Sequence, residues 1–169
     1  MDLTYMITQL KVQGQVCVSL AEGLTDEAVH WKPSPTSWSV LEVINHLVDE
    51  EIYDFRTHLV HILNTPNHPW PEIDPQGWVT QKGYNQQNFE KTLMVFNDER
   101  KTSIAMLNKL SEPNWDAYVE FPWGKLTAGD MLASWVAHDL LHLRQLIELR
   151  YQSTAHVSQP YAIEYAGQW

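Results

Sequence analysis

Four stretches of this chain repeat apolar residues at the roughly 3.6-residue period of an amphipathic helix, and no stretch alternates persuasively between apolar and polar. That patterning points to an all-α class. The first helix runs from about Leu3 to Leu20, with Leu3, Met6, Ile7, Leu10, Cys17 and Leu20 on one side. The second begins near Ser39, where Ser39-x-x-Glu42 matches a capping box, and continues to about Leu63; Asn64, Pro66 and Pro69 stop it. A third, from about Asn85 to Leu110, places Phe89, Leu93, Phe96, Leu107 and Leu110 at core spacing. The fourth opens at Thr127-x-x-Asp130, a capping box with Asp in place of the usual Glu or Gln, and runs to about Arg150.

Connections between bundle helices usually take about 2 to 8 residues, and two here are longer. The Pro-, Trp- and Gly-rich stretch from Thr65 to about Gly83 is expected to cover an end of the bundle or line a cleft. Glu112 to Lys125 reads as irregular, with a short extended piece at Tyr118–Phe121 and a turn at Trp123–Lys125. The tail to Trp169 has no helical period, yet Tyr161, Ile163, Tyr165 and Trp169 give it apolar groups with which to dock. There is no internal repeat, and 169 residues suffice for one core. The expectation is a single domain, residues 1–169, folded as a four-helix bundle with long connections after helices 2 and 3.

A formal charge of −10 argues against a protein that grips phosphate backbones, since that requires a basic surface. Nucleic acid is therefore not an expected partner. The lone Cys17 excludes an internal disulfide and a Cys-rich zinc module, and its apolar setting reads as a buried thiol. With no charged-then-apolar leader, and no apolar run near the roughly 20 residues that span a bilayer, a cytoplasmic setting is expected and no membrane partner. Eight Trp are many for this length, and those at 31, 38, 70, 78 and 123 fall in loops, where their rings must pack on something.

Chemistry-bearing residues concentrate in Trp135-Val-Ala-His138-Asp-Leu-Leu-His142 on the fourth helix. Imidazoles four apart lie one above the other on a helix, so both can reach one divalent ion. The pair borders the apolar arc that includes Met131, Trp135 and Leu149, and so points inward or into a groove. The best third candidate is His46, which sits well round from the stripe Leu41, Val48, Ile52, Phe55 and Leu59. Either its helix turns a second face toward a cleft, or His46 is solvated. His58 and His61 read as an electrostatic complement to a helix C-terminus. His30, His68 and His156 read as surface residues, and Asp49-Glu50-Glu51 as a solvated acidic face. No nucleophile elbow, His-Glu-x-x-His, phosphate-cradling Gly loop or Rossmann fingerprint occurs, so any chemistry would rest on the metal.

The ordered set Leu24-Thr-Asp-Glu-Ala-Val-His-Trp31-Lys-Pro33, Ser37-Trp38-Ser-Val-Leu-Glu42-Val-Ile-Asn-His46-Leu47, Trp123-Gly-Lys-Leu-Thr127-Ala-Gly-Asp130 and His138-x3-His142-x2-Gln145 resembles the DinB-like superfamily over nearly the whole chain. Members are similar to one another as four-helix bundles with a three-histidine metal site, and include bacillithiol and mycothiol S-transferases and maleylpyruvate isomerase. The resemblance implies metal ligands at His46, His138 and His142, with His46 in the cleft. Three imidazoles would leave an open position on the ion, as in catalytic rather than structural zinc sites. The leading expectation is a transferase that uses zinc or nickel to activate a low-molecular-weight thiol against a small-molecule substrate. The alternatives are a hydrolase using bound water and a non-catalytic metal-binding stress-response dimer. Glu50, one turn from His46, is the candidate catalytic base or an acceptor that hydrogen-bonds a ligand histidine; Trp38, Trp135 and Tyr53 are candidate pocket walls, and a homodimer is expected on general grounds.

Overall fold

The computed structural model describes residues 1–167. The expected docking of the tail is not seen at Tyr161 and Tyr165, whose rings are exposed, and that of Trp169 lies outside the described residues. Helix α1 (Leu3–Ala21) is capped by the Asp2 side chain on the Tyr5 amide. A short α2 (Asp26–His30), capped by Thr25, leads to α3 (Val40–Asp49). Ser39 and Glu42 form the expected capping box. Beyond α3 the chain stays helical, but residues Glu50–Phe55 form a π turn before α4 (Arg56–Asn64) resumes the ordinary pitch. Such turns insert a residue into the helical register and are frequent at functional sites.

The Pro-rich connection carries α5 (Pro75–Gln81) and a 3-10 turn (Tyr84–Gln86), where an irregular stretch was expected. Asp74 caps α5 and Pro75 opens it, so local capping chemistry overrides the density of Pro and Gly. After α6 (Phe89–Leu107), the extended piece at Tyr118–Phe121 pairs as β1 with β2 (Gly124–Thr127) in an antiparallel hairpin. Gly124 takes a positive φ of 140° at the turn, a conformation L side chains rarely adopt. Helix α7 (Ala128–Val157) opens on the Thr127–Asp130 capping box and runs seven residues past the expected end at Arg150. The added turns hold because Arg150 donates to the Leu20 carbonyl at 2.7 Å and His156 stacks on Trp31 at 5.5 Å. These tertiary contacts do not depend on a helical apolar period.

The bundle is built from α1, the α3–π–α4 run, α6 and α7, with α1 against α6 and α7, and α3 against α6 and α7. The first turn of α1 lies near that of α7, and Leu20 lies near Arg150, so these two helices run the same way. Two apolar clusters fill the interior. Cys17, Ile44, Phe96 and Leu146 mark one, and Leu10, Leu59, Leu132 and Trp135 the other.

At the level of Gly14, between Leu10 and Cys17 on α1, the Arg100 guanidinium crosses the core. It donates to both Asp139 carboxylate oxygens, to the Leu10 carbonyl at 2.9 Å, and pairs with Glu51 at 2.9 Å. A Cβ on residue 14 would lie 3.2 Å from Arg100 Cγ, tighter than ordinary contact, so a larger residue there would press on the side chain. Among the described residues, no helix is long and apolar enough to cross a membrane.

Candidate metal centre

Three histidines from two distant parts of the chain come together. His46 is on α3, one turn before the π segment, and His138 and His142 are successive turns of α7. One nitrogen of each lies within 4.8 Å of those of the other two. The two Nε2 atoms of His138 and His142 are 3.1 Å apart, and the His46 ring centre is 4.7 Å from that of His142 and 5.4 Å from that of His138. Imidazoles bound tetrahedrally at about 2.0–2.1 Å would have their nitrogens about 3.3 Å apart, so this trio already approximates the spacing a cation needs.

His46 is only 4% exposed, not solvated. The face that looked wrong for a core is covered: nine of the ten α3 residues are buried, and Trp38 packs against the His46 ring at 4.9 Å. Burial, with the charges of His142 and His138, pulls the His46 pKa down to about 3. Burial and His142 pull His138 down to about 4, and burial lowers His142 as well. All three are therefore neutral near pH 7, the state in which imidazole can ligate. The His142 Nδ1 donates to Gln145 Oε1 at 2.8 Å, which leaves its Nε2 lone pair facing His138. Buried His46 Nδ1, His138 Nδ1 and Glu50 Oε1 have no hydrogen-bond partner. Converging neutral imidazoles, one of them oriented by an amide, and unsatisfied atoms around them fit a cation between the rings.

Residues 9–146 match the sequence profile of the DinB superfamily. The chain belongs to the DinB superfamily. Its fold also matches that of YfiT from Bacillus subtilis, with a TM-score of 0.78 over 90% of this chain and 87% of that one at 18% sequence identity. YfiT is described as a probable metal-dependent hydrolase with an unusual four-helix bundle topology. At that identity the likeness establishes a shared fold. No curated protein matches the sequence.

In this DinB-superfamily bundle the histidines border a cleft of about 940 Å³, lined also by Glu50, Trp38, Pro75 and the α7 face as far as Gln152. Its other wall comes from the segment before α3 and the start of α5, so the Pro-rich connection lines a cleft as expected. Glu50 does not sit on a solvated acidic face: Asp49, Glu50 and Glu51 are all buried. Asp49 accepts from Lys82 at 2.6 Å and from the Tyr84 hydroxyl, and Glu51 from Arg100 and from Trp135 Nε1. Glu50 faces the site, with Oε1 3.8 Å from His46 Nδ1. Burial, a hydrogen bond with Asp54 and the charges of Asp54 and Asp49 push its carboxyl up to about 9.

Of the three candidate walls, only Trp38 lines the cleft. Trp135 is core, stacked on Phe55 at 5.8 Å, and Tyr53 lies outside against Trp78 at 5.6 Å. His58 and His61 are not exposed complements of a helix end: both are buried, because the Pro-rich connection folds back over them. His58 Nδ1 lies 2.6 Å from Asp54, its Nε2 lies 2.9 Å from the Pro71 carbonyl, and its ring stacks on Trp70 at 4.0 Å. Sequence reasoning assigned no role to Gln145 or Arg100. An amide three residues beyond a candidate ligand was the signal for Gln145; nothing local marks Arg100.

Proposed function

We propose that His46, His138 and His142 hold a divalent cation, zinc or nickel, and that the protein is a metal-dependent enzyme acting on a small molecule. The observation that carries this reading is the convergence of three neutral imidazoles at the wall of an open cleft. A purely structural cation needs no such access, so the cleft supports catalysis over a non-catalytic role. A cation there would lower the pKa of a thiol or water that reaches it and so furnish a nucleophile at neutral pH.

The chain's own groups divide the remaining work. Gln145 holds the His142 tautomer. Trp38, stacked parallel to His142 at 6.4 Å, walls the site on one side. Glu50 is the proton carrier: it borders the cleft, and its carboxyl, protonated near pH 7 in isolation, ionises more readily beside a positive charge. It can then take the proton that the nucleophile gives up and return it to the leaving group.

Activation of a low-molecular-weight thiol for transfer to a small electrophile is our first reading. Hydrolysis by activated water is the second, favoured by the description of YfiT. We take the chain as one domain, cytoplasmic and homodimeric. Elemental analysis of unsupplemented protein, then turnover with thiol–electrophile pairs and with ester and amide substrates, tests the proposal. We expect near-stoichiometric metal, lost in His138→Ala, and turnover with one substrate set. Metal content unchanged in that variant would overturn the site, and metal retained without turnover would overturn the enzyme.

A further inference from the structure

The chain has four arginines, and three are engaged inside the fold. Arg56 bonds Glu99 at 2.6 Å, Arg100 bonds Asp139 and Glu51, and Arg150 bonds the Leu20 carbonyl. The fourth, Arg144, has no hydrogen bond or ion pair among the described residues, and it lines the cleft beside the histidines. Glu148, one turn further along α7 and also on the cleft wall, forms no ion pair with it: its carboxylate accepts from Gln152, and its charge offsets that of Arg144 only in part. Among the described residues, Arg144 is the only Lys or Arg on the cleft lining, in a molecule whose net charge of −10 would otherwise repel anions. At about 1.5 Å of rise per residue, it stands about 3 Å along the helix axis from His142 and about 9 Å from His138.

We propose that Arg144 is the specificity determinant of this cleft and that it reads a carboxylate on the substrate while the reacting end of the same molecule lies at the histidines. The guanidinium fork matches a carboxylate in two parallel hydrogen bonds. One guanidinium with Glu148 nearby suits a monoanion better than a phosphate dianion, which would call for further positive charge. The inference rests on the three-histidine cleft being the substrate site, but the contact itself does not pass through the metal.

The test compares N-acetylcysteine with N-acetylcysteine amide, which differ only in the carboxylate, by calorimetric titration into the zinc-supplemented protein and into Arg144→Gln and Arg144→Lys. The acid should bind about tenfold or more tightly than the amide. Arg144→Gln should bring the acid down to the amide's affinity while leaving the amide unchanged, and Arg144→Lys should keep part of the preference. Equal affinities in the unmodified protein, no binding of the acid, or a preference that survives Arg144→Gln would each overturn the proposal. The same titrations without added zinc separate the two readings. A carboxylate preference in protein that takes up no metal would refute the metal centre and leave the role of Arg144 standing.

Discussion

Arg100→Met is the most informative single perturbation of the fold, because it removes one cation from between two carboxylates that are each 1% exposed. Asp139 loses two hydrogen bonds, Glu51 loses its ion pair at 2.9 Å, and the Leu10 carbonyl loses a donor. Removing one member of a buried ion pair costs about 3–5 kcal/mol, largely because an unpaired charge stays behind. Here two are left, so we expect a loss at the top of that range near pH 8, a large share of the roughly 5–15 kcal/mol that stabilises a domain. The deficit should shrink in acid. Burial already pushes the Glu51 carboxyl up and Arg100 opposes that, so in the variant it goes higher still, and its penalty is absent below the unfolded value near pH 4 and grows as pH rises. Urea melts at about pH 5 and pH 8 measure this directly. A loss under about 1 kcal/mol at pH 8, or one larger at pH 5, would refute the argument. Replacing Glu51 and Asp139 by Leu in the same background should recover much of the stability. Because Glu51 adjoins Glu50 and Asp139 adjoins His138, Arg100→Met should also weaken zinc binding.

Burial and the neighbouring Asp54 push the Glu50 carboxyl up to about 9 from its ordinary 4.5, so it lowers stability progressively as pH rises through that window. Glu50→Gln should therefore raise the stability of metal-free protein by about 3 kcal/mol at pH 7 and by nothing below pH 4; an unchanged melt at pH 7 would count against the buried carboxyl. Gln145→Leu removes the acceptor that fixes the His142 ring at 2.8 Å. Zinc affinity, measured against a chelating dye, should fall about 10- to 100-fold, and equal affinity would show that the amide orients nothing. Burial, with the Asp139 charge adding to it, pushes the Cys17 thiol up to about 12, so thiol reagents at pH 8 should label it only as fast as the protein unfolds. Rapid labelling of folded protein would contradict the packing of the α1 core.

The parts of this molecule that were legible in its sequence are those whose signals are local. Ser39–Glu42 and Thr127–Asp130 each satisfy orphan amides within one turn, and both open helices where their spacing said they should. His138 and His142 share a face because four residues make about one turn. His46 was ambiguous for a physical reason: a helical wheel separates an inner from an outer face only if the helix has an outer face, and α3 is buried nearly all round. The stripe drawn through Leu41, Val48, Ile52, Phe55 and Leu59 also crossed the π turn at Glu50–Phe55, where a fixed advance of about 100° per residue fails. The acidic run Asp49-Glu50-Glu51 looks solvated in the sequence for the same reason, yet all three are buried. Two of these carboxyls find partners far away in sequence, Lys82 and Tyr84 for Asp49 and Arg100 for Glu51, and no local pattern encodes such a pairing. Glu50 alone was left facing the cleft without a distant cation. That exception gives it significance, because a buried carboxyl without a compensating charge costs stability and persists where another requirement holds it in place.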